Sequence, residues 1–358
     1  MAGATLLERE LGRLLQAQRL TWPLDAPTPR WATAARVQKI GDAVDLRIYG
    51  DSIEGQDPVL IVTPQVNHSY IADFSPEQSL VRTLRSAGAA QVAVTDWLPP
   101  PPRPYHIADS IDDVVACAAH LGGRVHLVGL CQGGWQAAIT AALHPDRAAS
   151  LTIAAAPIDT RRGWTPLHLL VHSLPMAWYR GLVAAAGGVA PGAALAAGFD
   201  LLRAHERFVL APLDLYLHAD DPEWCARYEA LRNWYRLNKD LAGPLYLEAV
   251  EWIFKKNLLA RGRMRLRGHR VDLGAIRCPV RLVAGRQDHI TPPAQVFALA
   301  RLAPRAASLR ETTVDAGHIG VFMGRKALSE VWPELIRGLL SEADGSHRPR
   351  RFPRSTRQ

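Results

Sequence analysis

Cys131 has the clearest chemical context in the sequence. It lies in a G-x-C-x-G pattern, Gly129–Gly133, and Gly134 follows. The apolar run Arg124–Gly129 predicts a buried strand, and the Ala-rich run Trp135–Leu143 predicts a helix. A strand, tight turn and helix in this order are typical of a nucleophile elbow, where small neighbours let the two elements approach and the helix N-terminus faces the nucleophile. We therefore predict a nucleophilic Cys131; the alternative is a structural cysteine in a glycine turn.

A nucleophile elbow requires an acid and then a base later in the chain. Asp288 follows the apolar run Val280–Gly285, and His318 lies in a glycine-containing loop, Gly317–Gly320. This order predicts a triad of Cys131, Asp288 and His318. The competitors for the acid or base roles are His289, Asp315, Asp96 and Asp159. Asp315 is too close in sequence to His318 to be its usual partner.

Charge that develops on a substrate carbonyl oxygen needs hydrogen-bond donors. The elbow predicts the backbone N–H of Gln132 as one donor, and the loop after the apolar run Pro58–Pro64 predicts Val66 as the other. Asn67, His68 and Trp135 are predicted to bind substrate. For Asn67 and His68, ordinary hydrogen bonding within the loop is the alternative.

Alternating strands and helices predict the scaffold for these residues. Further buried strands are expected at Gln91–Trp97 and Leu151–Pro157, an early strand pair at Lys39–Tyr49, and helices at Pro76–Ala87 and Ile107–Leu121. This alternation predicts an α/β fold, with a mostly parallel central sheet and helices on both faces.

The segment 159–276 interrupts the alternation with a helical pattern and no clear buried strand. We predict a helical cap over the carboxyl ends of the strands, where open parallel sheets bind ligands. The predicted organisation is an N-terminal helix and proline-rich connector (1–36), two core parts (37–158 and 277–342) around the cap, and a basic disordered tail (343–358). The cap aromatics expected to line an apolar acyl channel are Trp164, Trp178, Tyr179, Trp234, Tyr246 and Trp252.

Composition narrows the class of protein. The chain has 358 residues, 48% of them hydrophobic, which is ample for a large core. The four cysteines have no ligand-like spacing, so a metal site is not expected. The net charge is +8, and the last fifteen residues hold five Arg and one Asp. This predicts a solvated tail, with contact to an anionic surface as the alternative; no nucleic-acid module is visible.

The sequence predicts neither a signal peptide nor a transmembrane segment. The N-terminus carries Glu8 and Glu10, and the most apolar stretch, Gly181–Phe199, is mainly Ala and Gly around Pro191. With cysteine usage that fits a reducing compartment, this predicts a cytoplasmic protein.

The chain resembles the polyhydroxyalkanoate synthase and intracellular depolymerase group of α/β-hydrolases, over Pro58 to Leu340. Its nucleophile box is similar to that of the short synthase subunits that act with a second subunit. The resemblance implies an α/β-hydrolase fold in which Cys131 carries the growing acyl chain, His318 is the base and Asp288 orients it. The other synthase-like segments are Ser75–Leu84, Val94–Trp97, Val271–Val280 and Gly285–Pro292.

The direction of the reaction stays open at this point. Synthases tend to have Trp where this chain has Pro293, and three segments resemble the depolymerases instead: Pro157–Gly163, Trp252–Gly262 and Gly317–Leu328. The depolymerases, however, usually have Pro after the Gln of the nucleophile box, where this chain has Gly133. The prediction is an acyltransferase; the alternatives are a depolymerase or thioesterase, and a catalytically silent protein that binds granules or a partner.

Chemistry favours acyl transfer, because exchange between a thioester and the thiol of Cys131 is nearly energy-neutral. No cofactor is expected, and a coenzyme A thioester enters as the substrate, with polyester as the alternative. The resemblance implies a second synthase subunit or a homodimer, and association with polyester granules in the cytoplasm.

Overall fold

The structure is a computed structural model that describes residues 6–21, 30–202 and 210–343. Eight strands of this part form one sheet in the order β1-β2-β4-β3-β5-β6-β7-β8. β1 and β2 pair antiparallel, as do β2 and β4, and every later pair is parallel. The strands are β1 Arg36–Lys39, β2 Val44–Gly50, β3 Val59–Val62, β4 Gln91–Trp97, β5 Val125–Leu130, β6 Ala148–Ala154, β7 Val280–Gly285 and β8 Leu309–Val314.

The central strands are buried on both faces, as expected for a parallel sheet between helical layers. In β3, Leu60 and Val62 pack into one core cluster while Val59 and Ile61 pack into another on the opposite face. Seven helices and one π-helix of the described core frame the sheet. They are α2 Leu80–Ser86, α3 Ile107–His120, α4 Gln132–Leu143, α11 Pro293–Val296, α12 Leu299–Leu302, α13 Gly320–Met323, the π-helix Ala327–Val331 and α14 Trp332–Ala343.

The helices form two layers, one on each face of the sheet, and each layer packs into a different core cluster. α3 and α4 contribute Ile111 and Ile139 to the first cluster. α2 and α14 contribute Leu84 and Leu335 to the second. The predicted α/β fold with helices on both faces of a mostly parallel sheet is therefore confirmed.

Between β6 and β7 the chain forms the predicted run of helices. They are α5 Pro166–Ser173, α6 Met176–Ala185, α7 Gly192–Leu202, α8 Ala211–Leu217, α9 Pro222–Arg236, α10 Gly243–Glu248 and the π-helix Ala249–Lys255. No strand was predicted here, yet Val189–Ala190 pairs with Leu241–Ala242, and Arg265–Leu266 pairs with His269–Arg270. Two-residue strands are too short to show the alternation that marks a strand in a sequence.

Two further differences concern the amino-terminal half. The helix predicted from Pro76 begins instead at Leu80, because the Ser79 hydroxyl caps it by accepting a hydrogen bond from the N–H of Arg82. The first helix, α1 Leu6–Thr21, packs on the cap, where Ala17 and Leu20 contact Leu215 of α8. The predicted connector lies largely outside the described residues, as does nearly all of the basic tail.

Candidate active site

Cys131 lies at the turn between β5 and α4 in a strained backbone conformation. Its φ is 50° and its ψ is −116°, a backbone conformation that residues other than glycine rarely adopt. The flanking glycines are required by space: a Cβ on Gly133 would stand 1.9 Å from the carbonyl oxygen of Val62, and one on Gly129 would stand 2.4 Å from Cα of Gly134. The sequence thus folds as a tight strand–turn–helix that places the sulfur at the N-terminus of α4.

Asp288 and His318 meet beside this turn, although they are thirty residues apart. Asp288 follows β7 and His318 follows β8, so adjacent parallel strands deliver both to the same edge of the sheet. The His318 Nδ1–H donates to Asp288 Oδ2 at 2.8 Å, and the imidazole lines the same cavity as Cys131. Because Nδ1 is held by the carboxylate, Nε2 is the nitrogen that serves the sulfur.

The carboxylate of Asp288 also has hydrogen-bond partners besides His318. Its Oδ1 accepts from the N–H groups of Ile290 and Thr291, both at 2.8 Å, and the Thr291 hydroxyl lies 2.9 Å from Oδ2. Burial acts to raise the pKa of Asp288, but the charge of His318 and these hydrogen bonds hold it below its usual value. A carboxylate kept ionised here can fix the ring orientation of the histidine.

The charge balance at His318 follows from the same contacts. Burial acts to lower the pKa of the imidazole, but the charge of Asp288 and its hydrogen bond to the ring, with a contribution from the neighbouring Cys131, raise it to about 10. A protonated His318 beside Cys131 is the partner that a thiolate nucleophile needs. The arrangement can therefore activate a thiol and later return a proton to a leaving group.

The three carboxylates named from the sequence as competitors have other contacts. Asp96 pairs with Arg47 at 2.7 Å, Asp159 accepts from Asn257 at 2.8 Å, and Asp315 accepts from Gln287 at 3.1 Å. Burial raises the pKa of the Cys117 thiol and raises that of Cys278 to about 11, which disfavours their thiolates.

The loop after β3 is joined to the elbow by an amide clamp, formed by the side chains of Gln65, Gln132 and Gln136. Gln132 Oε1 accepts from the backbone N–H of Gln65, and Gln132 Nε2 donates to Gln65 Oε1, both at 3.0 Å. Gln136 Nε2 donates to the same Oε1 at 2.9 Å. Gln132 and Val66, which carry the two predicted oxyanion donors, are thus linked through Gln65.

The cap holds the same loop from the opposite side. The backbone N–H of Lys239 donates to the carbonyl of Val66 at 3.1 Å, and the indole N–H of Trp234 donates to the carbonyl of His68 at 2.9 Å. The Lys239 ammonium donates to the carbonyl of Trp97, and burial lowers its pKa to about 8 against the opposing charge of Asp96. The Val66 peptide is therefore fixed between core and cap.

A cavity of about 510 Å³ opens on the sulfur and runs beneath the cap. The core contributes Cys131 and His318 to its wall, and the cap contributes apolar side chains from five helices and the π-helix. Among the predicted residues, those that line the cavity are Cys131, Gln132, His318, Val66, Asn67, Trp135, Trp178, Tyr179, Trp234 and Tyr246.

Several predicted residues lie elsewhere. His68 is absent from the lining; its ring lies 5.7 Å from that of Tyr70, and burial lowers its pKa to about 4. Trp164 is 81% exposed, because it lies before α5 on the outer side of the cap. Trp252 lines a separate surface pocket, together with His106.

Sequence reasoning missed Gln65, Thr291 and Lys239. Gln65 lay one residue before the predicted oxyanion donor, and Thr291 three residues after the predicted acid, so their positions alone were a signal. Nothing in the sequence marked Lys239, because its role depends on the loop that α9 leads into.

Comparison with known proteins finds polymerase subunits that are similar to most of this chain. Poly(3-hydroxyalkanoate) polymerase subunit PhaC from Thiocystis violacea is 29% identical over 294 residues, which cover 79% of this chain and 80% of that protein. The same subunit from Allochromatium vinosum gives the same figures of 29%, 79% and 80%. The subunit from Haloferax mediterranei is 28% identical, with 78% of this chain and 57% of that protein covered.

Solved structures support the fold. A thermophilic esterase from Thermogutta terrifontis superposes with a TM-score of 0.51 at 18% identity, over 86% of this chain and 99% of the esterase. A hydrolase from Pseudomonas aeruginosa also gives 0.51, at 20% identity, over 88% and 100%. None of the helices in the described part of the chain is long and apolar enough to span a membrane. Residues 43–324 match the alpha/beta hydrolase fold family, and the chain belongs to that family.

Proposed function

We propose that this protein is an acyltransferase that polymerises 3-hydroxyacyl-coenzyme A through a thioester on Cys131. The observation that carries the proposal is a cysteine, rather than a serine, at a nucleophile elbow that lines the same cavity as His318, which is hydrogen-bonded to Asp288. The similarity to named poly(3-hydroxyalkanoate) polymerase subunits over about four-fifths of the chain supports it.

The first half of the reaction transfers the acyl group to the enzyme. The sulfur of Cys131 attacks the thioester carbonyl, the carbonyl–sulfur bond to coenzyme A breaks, and the coenzyme A thiolate leaves with the proton of His318. Backbone N–H groups of Gln132 and Val66 are the proposed donors to the carbonyl oxygen while it carries negative charge. Asp288 keeps Nε2 of His318 directed at the sulfur through its bond to Nδ1.

The second half transfers the acyl group to a hydroxyl. His318 accepts the proton of a 3-hydroxyl group as its oxygen attacks the acyl-enzyme carbonyl, an ester forms, and the thiolate of Cys131 is released. A cavity lined mainly by carbon disfavours water, so a hydroxyl that is held there has the advantage. If water attacks instead, the same site is a depolymerase or thioesterase, which three sequence segments favour: Pro157–Gly163, Trp252–Gly262 and Gly317–Leu328.

One experiment separates these functions. Purified protein is incubated with 3-hydroxyacyl-coenzyme A and, in parallel, with amorphous polyester, and released coenzyme A, polymer and free acid are measured. We expect coenzyme A and polymer from the thioester, and a Cys131→Ala protein at least ~10³-fold slower. Free acid without polymer would show a hydrolase, and unchanged turnover in a folded Cys131→Ala protein would exclude Cys131 as the nucleophile.

We further propose that the protein acts in the cytoplasm at polyester granules, with a second synthase subunit or as a homodimer. Leu11, Leu14 and Leu15 support contact with a partner, because all three are at least half exposed on α1. Sedimentation analysis of the protein alone would show whether it is a monomer that awaits a partner or a dimer.

A further inference from the structure

The part of the cavity that lies away from Cys131 is lined almost entirely by carbon. Side chains from α5, α6, α7 and the π-helix form this part of the wall, and they include Leu167, Leu174, Leu182, Leu195, Val250 and Phe254. From this lining and the cavity volume we infer that the protein takes acyl groups with a medium-length alkyl chain, of about eight to ten carbons. The inference rests on the proposed function and names the substrate class of the same site.

The polar side chains of the lining are placed unevenly. Asn67, Gln132, Thr291 and His318 come from the elements that surround Cys131, where a thioester carbonyl and a 3-hydroxyl group would lie. The donors that the cap contributes to the lining belong to aromatic side chains. Tyr179 donates its hydroxyl to the carbonyl of Val171, Trp234 donates its indole N–H to the carbonyl of His68, and the others are Trp178, Tyr235 and Tyr246. The remote wall thus offers few donors, among the described residues, to anything that enters it.

This distribution distinguishes an alkyl chain from a polyester chain. A polyester carries a carbonyl in every repeat unit, and burial of a carbonyl without a hydrogen bond is unfavourable. A hydrocarbon chain has no such requirement, and each methylene that leaves water strengthens binding roughly fourfold. A four-carbon acyl group would fill only a small part of a cavity of about 510 Å³.

The cavity also has a mouth that reaches solvent. Trp178, Leu201 and Tyr235 line the cavity and are also 48%, 62% and 40% exposed, respectively.

The test measures binding without turnover. The Cys131→Ala protein is titrated by calorimetry with the N-acetylcysteamine thioesters of 3-hydroxybutyrate, 3-hydroxyoctanoate and 3-hydroxydecanoate, which are uncharged probes. We expect the ten-carbon probe to bind at least ~10-fold more tightly than the four-carbon probe. Equal affinities, or tighter binding of the four-carbon probe, would overturn the inference.

Two glycine variants locate the binding site. Gly198 of α7 lines the cavity and a Cβ there meets no atom within 4 Å, so Gly198→Leu, in the Cys131→Ala background, fills space without a backbone clash. We expect it to weaken the ten-carbon probe at least ~10-fold and the four-carbon probe less than ~3-fold. Gly181→Leu is the matched control, since Gly181 of α6 has equal space but lies outside the lining, and it should change neither.

The two proposals fail separately. Weakening of both probes to the same extent by Gly198→Leu would overturn the alkyl-chain assignment, as would loss of binding in Gly181→Leu alone. Absence of coenzyme A release by the wild-type protein would contradict the acyltransferase function but would leave the measured chain-length preference intact.

Discussion

At the scale of single residues, the Asp288–His318 contact is the most informative feature of the site. Its geometry predicts that Asp288→Asn lowers turnover by roughly 10²–10³-fold, because an amide can present a donor where His318 needs an acceptor. The corresponding change in a serine triad costs about 10⁴-fold, and a thiol ionises more readily than a hydroxyl. The measurement is the rate of coenzyme A release.

The matched controls are the same substitution at the rival carboxylates. Asp315→Asn and Asp96→Asn should stay within about threefold of wild type, since these side chains bind Gln287 and Arg47 rather than the histidine. A larger loss at Asp315 than at Asp288 would show that the acid is misassigned.

At the scale of elements, the central strands bury a histidine that the site does not use. His126 of β5 is 1% exposed, and its Nδ1 lies 2.9 Å from the Ser150 hydroxyl on β6. Burial lowers its pKa to about 4, with smaller opposing and supporting effects of Asp57 and Arg124. Since the unfolded chain binds this proton near pH 6.5, His126 destabilises the fold as the pH falls from 6.5 towards 4.

Denaturant unfolding at pH 7 and pH 5 tests how the burial of His126 between β5 and β6 affects the free energy of unfolding. We expect the wild-type protein to lose about 2 kcal/mol more than His126→Leu between the two pH values. His120→Leu, at the exposed end of α3, serves as the control and should retain the wild-type pH dependence. Identical pH dependence in all three proteins would contradict the assignment.

At the scale of the whole molecule, the cap holds part of the catalytic core in place. Trp234 and Lys239 come from the cap and donate hydrogen bonds to the carbonyls of His68 and Val66, respectively. These carbonyls lie on either side of Asn67 in the loop after β3, which we call the oxyanion loop. The proposed oxyanion donor at Val66 therefore depends on how the cap packs, and we expect cap and chemistry to be coupled.

Trp234→Phe tests this coupling, because it keeps an aromatic ring but removes the indole N–H. We expect kcat to fall about 3- to 10-fold, the value of one misplaced hydrogen bond, with little change in KM. Trp178→Phe is the control, since Trp178 lines the same cavity at its mouth. An equal loss of kcat in both variants would show that the effect comes from the lining and not from the tie to His68.

The sequence by itself determined the elements and the residues that depend on local pattern. The elbow around Cys131 was predictable because its strand, glycines and helix follow one another in a single segment, and the strand ends before Asp288 and His318 follow from continuous apolar runs. The parallel sheet with helices on both faces followed from the alternation of those runs.

Only the tertiary structure decided how distant segments meet. The clamp of Gln65 on Gln132, the hold of Trp234 and Lys239 on the oxyanion loop, and the exclusion of His68, Trp164 and Trp252 from the cavity depend on how the cap packs on the sheet. A helical period identifies an apolar face but not which neighbour covers it. The contacts between cap and core are therefore set by the three-dimensional packing of the whole chain, and local sequence carries no record of them.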